Sequence, residues 1–281
     1  MRGTVLWLIL VTGNEMNMTL RKLRGLTLGL GFSLLNLFAG SAQAIDLAGN
    51  WNATPDCPAY KARLVVLGDS LADGLWGAFY RRYARCEMLE VVRLTKVSDG
   101  LAKTNAAGWL ARYQALPNVT DPEQKDIILV QLGANDLTNL RQGTNRTVFN
   151  SPDWDTAYAD RVRELGQGLV AAAGDVIWFS LPIVGKDSLR ENYDHILDLQ
   201  STALKGLPIK YIDTYKLTSF GTDEFTMNAR IDGKLRQMRA DDRIHFTTVG
   251  YEVVAQAVLT DLEKFLHLQD SKIVINNVAL Q

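Results

Sequence analysis

Leu64-Val65-Val66-Leu67-Gly68-Asp69-Ser70-Leu71 decides the fold. Four consecutive apolar residues closed by a glycine read as a strand buried on both faces, and the spacing from Leu71 onward reads as a helix. A buried strand turning directly into a helix is the building unit of a parallel α/β sheet. Ser70 then stands at a strand-to-helix turn, where free N–H groups and positive potential favour an anion. The residues alone leave two readings of its hydroxyl. It is a nucleophile with an oxyanion forming beside it, or it is a helix N-cap paired with Asp73. Partners elsewhere in the chain must decide.

Outward from this stretch the alternation continues. Apolar strand-like runs recur at 64–67, 88–94, 126–132, 176–181 and 209–212, and helical spacing covers 71–85, 105–116, 156–173, 191–204 and 248–268. The pattern predicts a three-layer α/β/α sandwich around a mostly parallel five-stranded sheet. Asp232-Gly233, between 224–230 and 234–239, predicts a β-hairpin placed just before the polar loop Asp242–His245. The loop over 137–154 is rich in Thr, Asn and Gly, and Ser151-Pro152-Asp153 at its end marks a helix start.

The first 44 of the 281 residues stand apart. Arg21, Lys22 and Arg24 precede an apolar stretch from Leu26 to Ala39 and then Ala42-Gln43-Ala44, the three-part pattern of a secretory signal peptide. The apolar stretch falls short of the roughly 20 residues a membrane span needs. Cleavage is expected after Ala44, with translation starting at Met16 or Met18; an uncleaved N-terminal anchor is the alternative. Residues 45–281 are expected to form a single domain with no membrane span. Removing residues 1–44 takes away four of 30 basic and one of 31 acidic residues, which leaves a net charge of −4 and argues against a nucleic-acid partner.

Cys57 and Cys86 flank the first strand and helix, so both should lie at the end of the sheet away from Ser70. In an oxidising compartment a disulfide between them is reasonable, two free thiols being the alternative. Neither is spaced as a metal site, and neither metal nor cofactor is expected. The tail after Leu268, containing Lys272-Ile273-Val274-Ile275, is read either as an edge strand or as loose.

Ligands of open α/β sheets bind beyond the carboxyl ends of the strands. Polar residues follow each relevant strand: Ser70, then Ser98-Asp99-Gly100, then Gly133-Ala134-Asn135-Asp136, and after the hairpin Asp242-Arg243-Ile244-His245. Acyl transfer needs a nucleophile, a base, a group orienting the base, and oxyanion donors. Ser70, His245 and Asp242 fill the first three roles. The N–H groups of Ser70 and Gly100 and the side-chain amide of Asn135 fill the last. His195, beside Asp194 and Asp198, reads as part of a solvated helix face, and His267 as a surface residue near a helix end.

These four blocks, in this order from Gly68 to His245, resemble the GDSL or SGNH hydrolase superfamily. The resemblance implies Ser70 and His245 as catalytic pair, Asp242 as orienting acid, Gly100 and Asn135 as oxyanion donors, and a flavodoxin-like arrangement of the sheet. Gly68-Asp69-Ser70-Leu71-Ala72-Asp73-Gly74-Leu75 and Arg239-Ala240-Asp241-Asp242-Arg243-Ile244-His245-Phe246-Thr247 are similar to an exported bacterial branch catalogued as a domain of unknown function. Arg243 departs from that branch, which commonly has glycine there, and puts a cation beside the acid and base.

The expected activity is a periplasmic serine esterase acting on short acyl groups, acetyl foremost, of an envelope glycan. Asp136, Trp154, Arg239 and Arg243 are candidate substrate contacts. Trp76, Trp109 and Trp154 are candidates for stacking on sugar rings, with core packing expected for at least two of them. An O-acyltransferase and a catalytically inactive glycan-binding module are the alternatives. A small-molecule or glycan ester is the expected partner, and the sequence names no protein partner.

Overall fold

The computed structural model describes residues 51–117, 121–142, 145–259 and 262–266. The signal peptide, its cleavage after Ala44, the start at Met16 or Met18, His267 and the 272–275 segment lie outside the described residues. The chain runs β1 (Ala62–Gly68), α1 (Ser70–Tyr83), β2 (Leu89–Thr95), α2 (Ala106–Gln114), β3 (Lys125–Gln131), β4 (Leu140–Gln142), β5 (Asn145–Thr147), α3 (Pro152–Ala173), β6 (Asp175–Phe179), α4 (Asp187–Leu204), β7 (Ile209–Ile212), α5 (Thr214–Leu217), β8 (Asn228–Ile231), β9 (Lys234–Gln237) and α6 (Thr248–Gln256).

Five strands form one sheet in the order β2-β1-β3-β6-β7, with every neighbouring pair parallel. The expected sandwich is therefore found, and its main sheet is wholly parallel. α1 packs on α6, and α3 packs on α2 and α4, which supplies the two helical layers. Covered on both faces, β1 is buried along its whole length. Leu71, Ala72, Leu75, Ala78 and Phe79 form the buried face of α1 at helical spacing. Strand order reverses between β1 and β3, and that switch point is where ligands of such sheets bind.

Two features hold β1 and β3 in register there. At the far end, Arg63 and Asp126 are register partners, and both are buried. Arg63 donates to the Asp126 carboxylate at 2.8 and 2.5 Å, and Tyr113 adds its hydroxyl at 2.7 Å. Losing one partner would strand a buried charge. At the near end, Gly68 has φ +149°, and a Cβ on it would lie 1.8 Å from the Gln131 carbonyl oxygen. Only glycine lets the turn carrying Ser70 approach β3 this closely.

A disulfide joins Cys57 and Cys86, with Cα atoms 5.3 Å apart. It ties the segment before β1 to the end of α1, at the opposite end of β1 from Ser70, as expected. The β8–β9 hairpin is antiparallel and turns at Asp232 and Gly233, whose φ values of 50° and 75° fit the two-residue turn that Asp-Gly favours. Five elements differ from the sequence reading. The expected loop over 137–154 contains the small antiparallel pair β4–β5, α4 starts at Asp187 instead of 191, α5 is additional, and α6 ends at Gln256 where a helix over 248–268 was expected. Among the described residues no helix is long and apolar enough to cross a membrane.

Candidate active site

Ser70 is the first residue of α1. The N-cap is Asp69, whose Oδ1 accepts the Leu71 N–H at 2.9 Å. Asp73, the expected partner of a capping Ser70, instead receives Arg93 at 2.6 and 2.8 Å and the Thr95 hydroxyl at 2.5 Å. This corrects the capping reading: Asp69 satisfies the helix end, and the Ser70 hydroxyl is free for another partner.

That partner is His245. Its Nε2 lies 2.7 Å from Ser70 Oγ, and its Nδ1 lies 2.5 Å from Asp242 Oδ2. A carboxylate only accepts, so Nδ1 carries the proton and Nε2 of the neutral ring accepts from the serine hydroxyl. Asp242 Oδ1 accepts the N–H groups of Ile244 and His245 at 2.9 and 3.0 Å, which fixes the carboxylate to the loop it serves. Burial raises the carboxyl's pKa, but the His245 side chain and these two N–H groups outweigh it and bring Asp242 down to about 2.

The loop bearing His245 is held from beneath by Arg239. This side chain is fully buried, donates to the carbonyls of Ile183, Ile244 and Thr218 at 2.6, 3.0 and 3.2 Å, and lies 3.9 Å from the Phe246 ring centroid. Burial lowers its pKa to about 9. Arg239 is a buried strut with no exposed surface to offer a ligand, which corrects one expected binding residue. Arg243 has φ +62°, the conformation that glycine adopts at least cost. It is exposed, 5.3 Å above the Phe225 ring, and remains a candidate contact.

Asp136 and Trp154 are also corrected. Both are completely buried. Asp136 accepts the Ala102 N–H at 2.8 Å and the Tyr158 hydroxyl at 2.9 Å, while Trp154 stacks on Tyr158 and donates to the Thr138 carbonyl at 2.9 Å. Trp109 is likewise in the core, as expected for two of the three tryptophans. Trp76 is half-buried beside the edge strand, with its indole N–H on the Val91 carbonyl and Arg93 over its ring. His195 bonds Asp155 of α3 at 2.7 Å, so it clamps two helices where a solvated face was expected.

The loops after β1, β2 and β3 are tied together by buried carboxylates. Asp69 Oδ2 accepts the Ala134 N–H at 3.1 Å, linking the Ser70 turn to the Asn135 loop. Asp136 links that loop to the Gly100 loop through Ala102. A Cβ on Gly100 would lie 2.1 Å from Asp136 Oδ1, which is why a glycine is needed there. The Gly100 N–H donates to Asp99 Oδ1 at 2.9 Å, so it is not a free oxyanion donor in this arrangement. Asn135 gives one amide hydrogen to the Asp99 carbonyl at 3.1 Å and keeps the other. Burial also works against Asp99, but Lys96, Arg112, the Gly100 N–H and Thr104 hold its carboxyl down at about 2. Sequence reasoning gave Asp69 and Asp99 no role of their own. Their partners lie on other elements, and only the recurrence of aspartate beside each motif residue signalled them.

Burial, followed by the charge of Asp136, raises Asp69 to about 7 against the partial opposition of its N–H partners. An acid raised above its unfolded value of about 3.9 keeps its proton when folded after the unfolded chain has lost it. Stability therefore falls as pH rises from about 4 to about 7, by up to about 4 kcal/mol for this group. The urea midpoint is expected to be lower at pH 8 than at pH 5, with Asp69→Asn flattening the difference. A midpoint that rises over this interval contradicts the assignment.

Residues 63–261 match the model of a family described as a protein of unknown function, DUF459. Several solved structures are similar. A Bacteroides fragilis NCTC 9343 protein with an acylhydrolase assignment is 15% identical, over 78% of this chain and 95% of that one, with a TM-score of 0.50. LAE5, an alpha/beta hydrolase enzyme from the metagenome of Lake Arreo, Spain, is 19% identical over 73% and 95%, with a TM-score of 0.48. Axe2, an acetylxylan esterase from Geobacillus stearothermophilus, is 16% identical over 73% and 94%, with a TM-score of 0.47. No curated protein matches the chain. At these identities the likeness is one of fold alone. The family match runs from β1 through the His245 loop and past α6, and the chain belongs to the DUF459 family.

Proposed function

We propose that the protein is a serine esterase that removes short acyl groups, acetyl foremost, from a glycan of the bacterial envelope. The observation that carries this reading is the continuous relay Ser70–His245–Asp242, at 2.7 and 2.5 Å. In the acylation step His245 Nε2 takes the proton of Ser70 Oγ as the oxygen bonds to the ester carbonyl carbon. The proton then passes to the departing alkoxide as the C–O bond breaks, leaving an acyl-serine and a free alcohol. Water repeats the sequence, with His245 as base, and releases the acid. Asp242 holds the tautomer and stabilises the imidazolium. The Ser70 N–H at the start of α1 and the second Asn135 amide hydrogen are the oxyanion donors, each worth about 3 kcal/mol of transition-state stabilisation.

Hydrolysis is favoured over transfer by exposure of the relay. The His245 and Asp242 side chains are 33% and 41% exposed, so water has access to an acyl group on Ser70 and so does an ester presented on a bulky polymer. The Cys57–Cys86 disulfide supports export to an oxidising compartment such as the periplasm, and the sequence pattern ending in Ala42-Gln43-Ala44 supports cleavage after Ala44.

Acetate release from p-nitrophenyl acetate and from an O-acetylated bacterial envelope glycan, with Ser70→Ala as blank, tests the reading. Wild type is expected to release acetate from both, at least about tenfold faster from the acetyl than from an octanoyl ester. Equal rates for wild type and blank contradict it, and acylated glycan accumulating faster than free acid points to transfer instead.

A further inference from the structure

The loop after β2 is more heavily braced than a connecting loop requires. Ser98 is held at φ +60°, outside the range a non-glycine residue prefers. The next residue, Asp99, has a side chain only 3% exposed. Its carboxylate accepts from the Gly100 N–H at 2.9 Å, from the Thr104 hydroxyl at 3.0 and 2.9 Å, from Arg112 at 3.0 Å and from Lys96 at 3.0 Å. These partners come from the end of β2, the loop itself and α2. The Asp99 carbonyl accepts one hydrogen of the Asn135 amide at 3.1 Å. With that hydrogen fixed, the direction of the second follows from the planarity of the amide.

We propose that Asp99 is a positioning residue of the oxyanion hole, its carboxylate locking the loop so that its carbonyl aims the Asn135 amide at the developing oxyanion. The inference rests on the esterase reading and deepens it. Asp99 touches no substrate in this scheme and acts through Asn135 alone. Gly100 contributes the absence of a side chain, while its N–H serves the lock. A donor held in place beforehand stabilises charge without reorganising during the reaction, which is why the brace matters to rate more than to binding.

A double-mutant cycle on a short-chain ester separates this role from a merely structural one. Asp99→Ala is expected to lower kcat by about 100-fold, close to the loss in Asn135→Ala, with KM within about threefold of wild type. Combined, the two substitutions are expected to be no worse than Asn135→Ala alone, within about threefold. Asp99→Asn, which keeps an acceptor for the Gly100 N–H, is expected to recover about tenfold of the loss. Multiplying losses, an unchanged kcat in Asp99→Ala, or a loss expressed in KM overturns the proposal. If Asp99→Ala does not fold, Arg112→Met and Thr104→Val remove single partners of the same carboxylate. Each is then expected to lower kcat by about three- to tenfold in wild type and not at all beside Asn135→Ala, and equal losses in both backgrounds overturn it. A wild type without Ser70-dependent hydrolysis overturns the esterase reading and this inference together, whereas an active wild type with multiplying losses overturns only the inference.

Discussion

Ser70→Ala is expected to lower kcat/KM on short-chain esters by at least about 10⁴-fold while leaving the folded structure intact. The loss is expected to be large because, in the proposed mechanism, Ser70 Oγ is the atom that bonds to the acyl carbon. The oxyanion donors and the general base would remain, but they would have nothing to activate except water at a distance. Stability should barely change. Asp69, not Ser70, caps α1, and the side-chain hydrogen bond of Ser70 is to His245. Alanine is the best helix former, so the first turn tolerates it. Stopped assays beside urea unfolding check both halves of the expectation. An active or an unfolded Ser70→Ala protein contradicts the account.

His245→Ala is expected to cost about as much, and the double variant with Ser70→Ala no more than either alone, because nucleophile and base act as one unit. Asp242→Asn separates orientation from proton transfer. An asparagine can turn its amide N–H toward Nδ1, which selects the tautomer whose Nε2 carries a proton and cannot accept one from Ser70. A loss of about 10²- to 10⁴-fold in kcat is expected, with the substrate's KM little changed. The position of Asp242 near pKa 2 adds a further constraint. As a lowered carboxylate it stays ionised, and keeps its stabilising bond to His245, until pH falls below about 4 toward 2. No acid limb of activity above about pH 4 should therefore belong to Asp242, and Asp242→Asn should lower the rate across the whole pH range without shifting such a limb.

Much of this site was readable in the sequence because Ser70, Gly100 and Asn135 follow strand ends by two, five and four residues, and Asp242 and His245 share one short loop. The apolar run 64–67 located β1, and the motif order placed Ser70, Asn135 and His245 on the correct edge of the sheet. Asp232-Gly233 located the hairpin because only residues tolerant of positive φ suit that turn. The missed elements were short. Three-residue strands such as β4 and β5, rich in polar side chains, carry no periodicity to detect. The misassigned side chains share a different cause. Asp136, Trp154 and Arg239 lie in or beside motifs and are polar or amphipathic, which reads locally as accessible chemistry. Their burial depends on Tyr158, Thr138, Ile183 and Thr218, partners brought in by the tertiary fold. The Ser70–Asp73 pair failed for the same reason, since Arg93 and Thr95 of β2 claim Asp73.

The most direct test of the central claim is covalent labelling by a fluorophosphonate, followed by peptide mass spectrometry on folded wild type and His245→Ala. A single adduct on Ser70 is expected in wild type, formed at least about 100-fold more slowly when His245 is removed. Folded wild type that takes up no label, carries it on another residue, or labels at the same rate without His245 would contradict it.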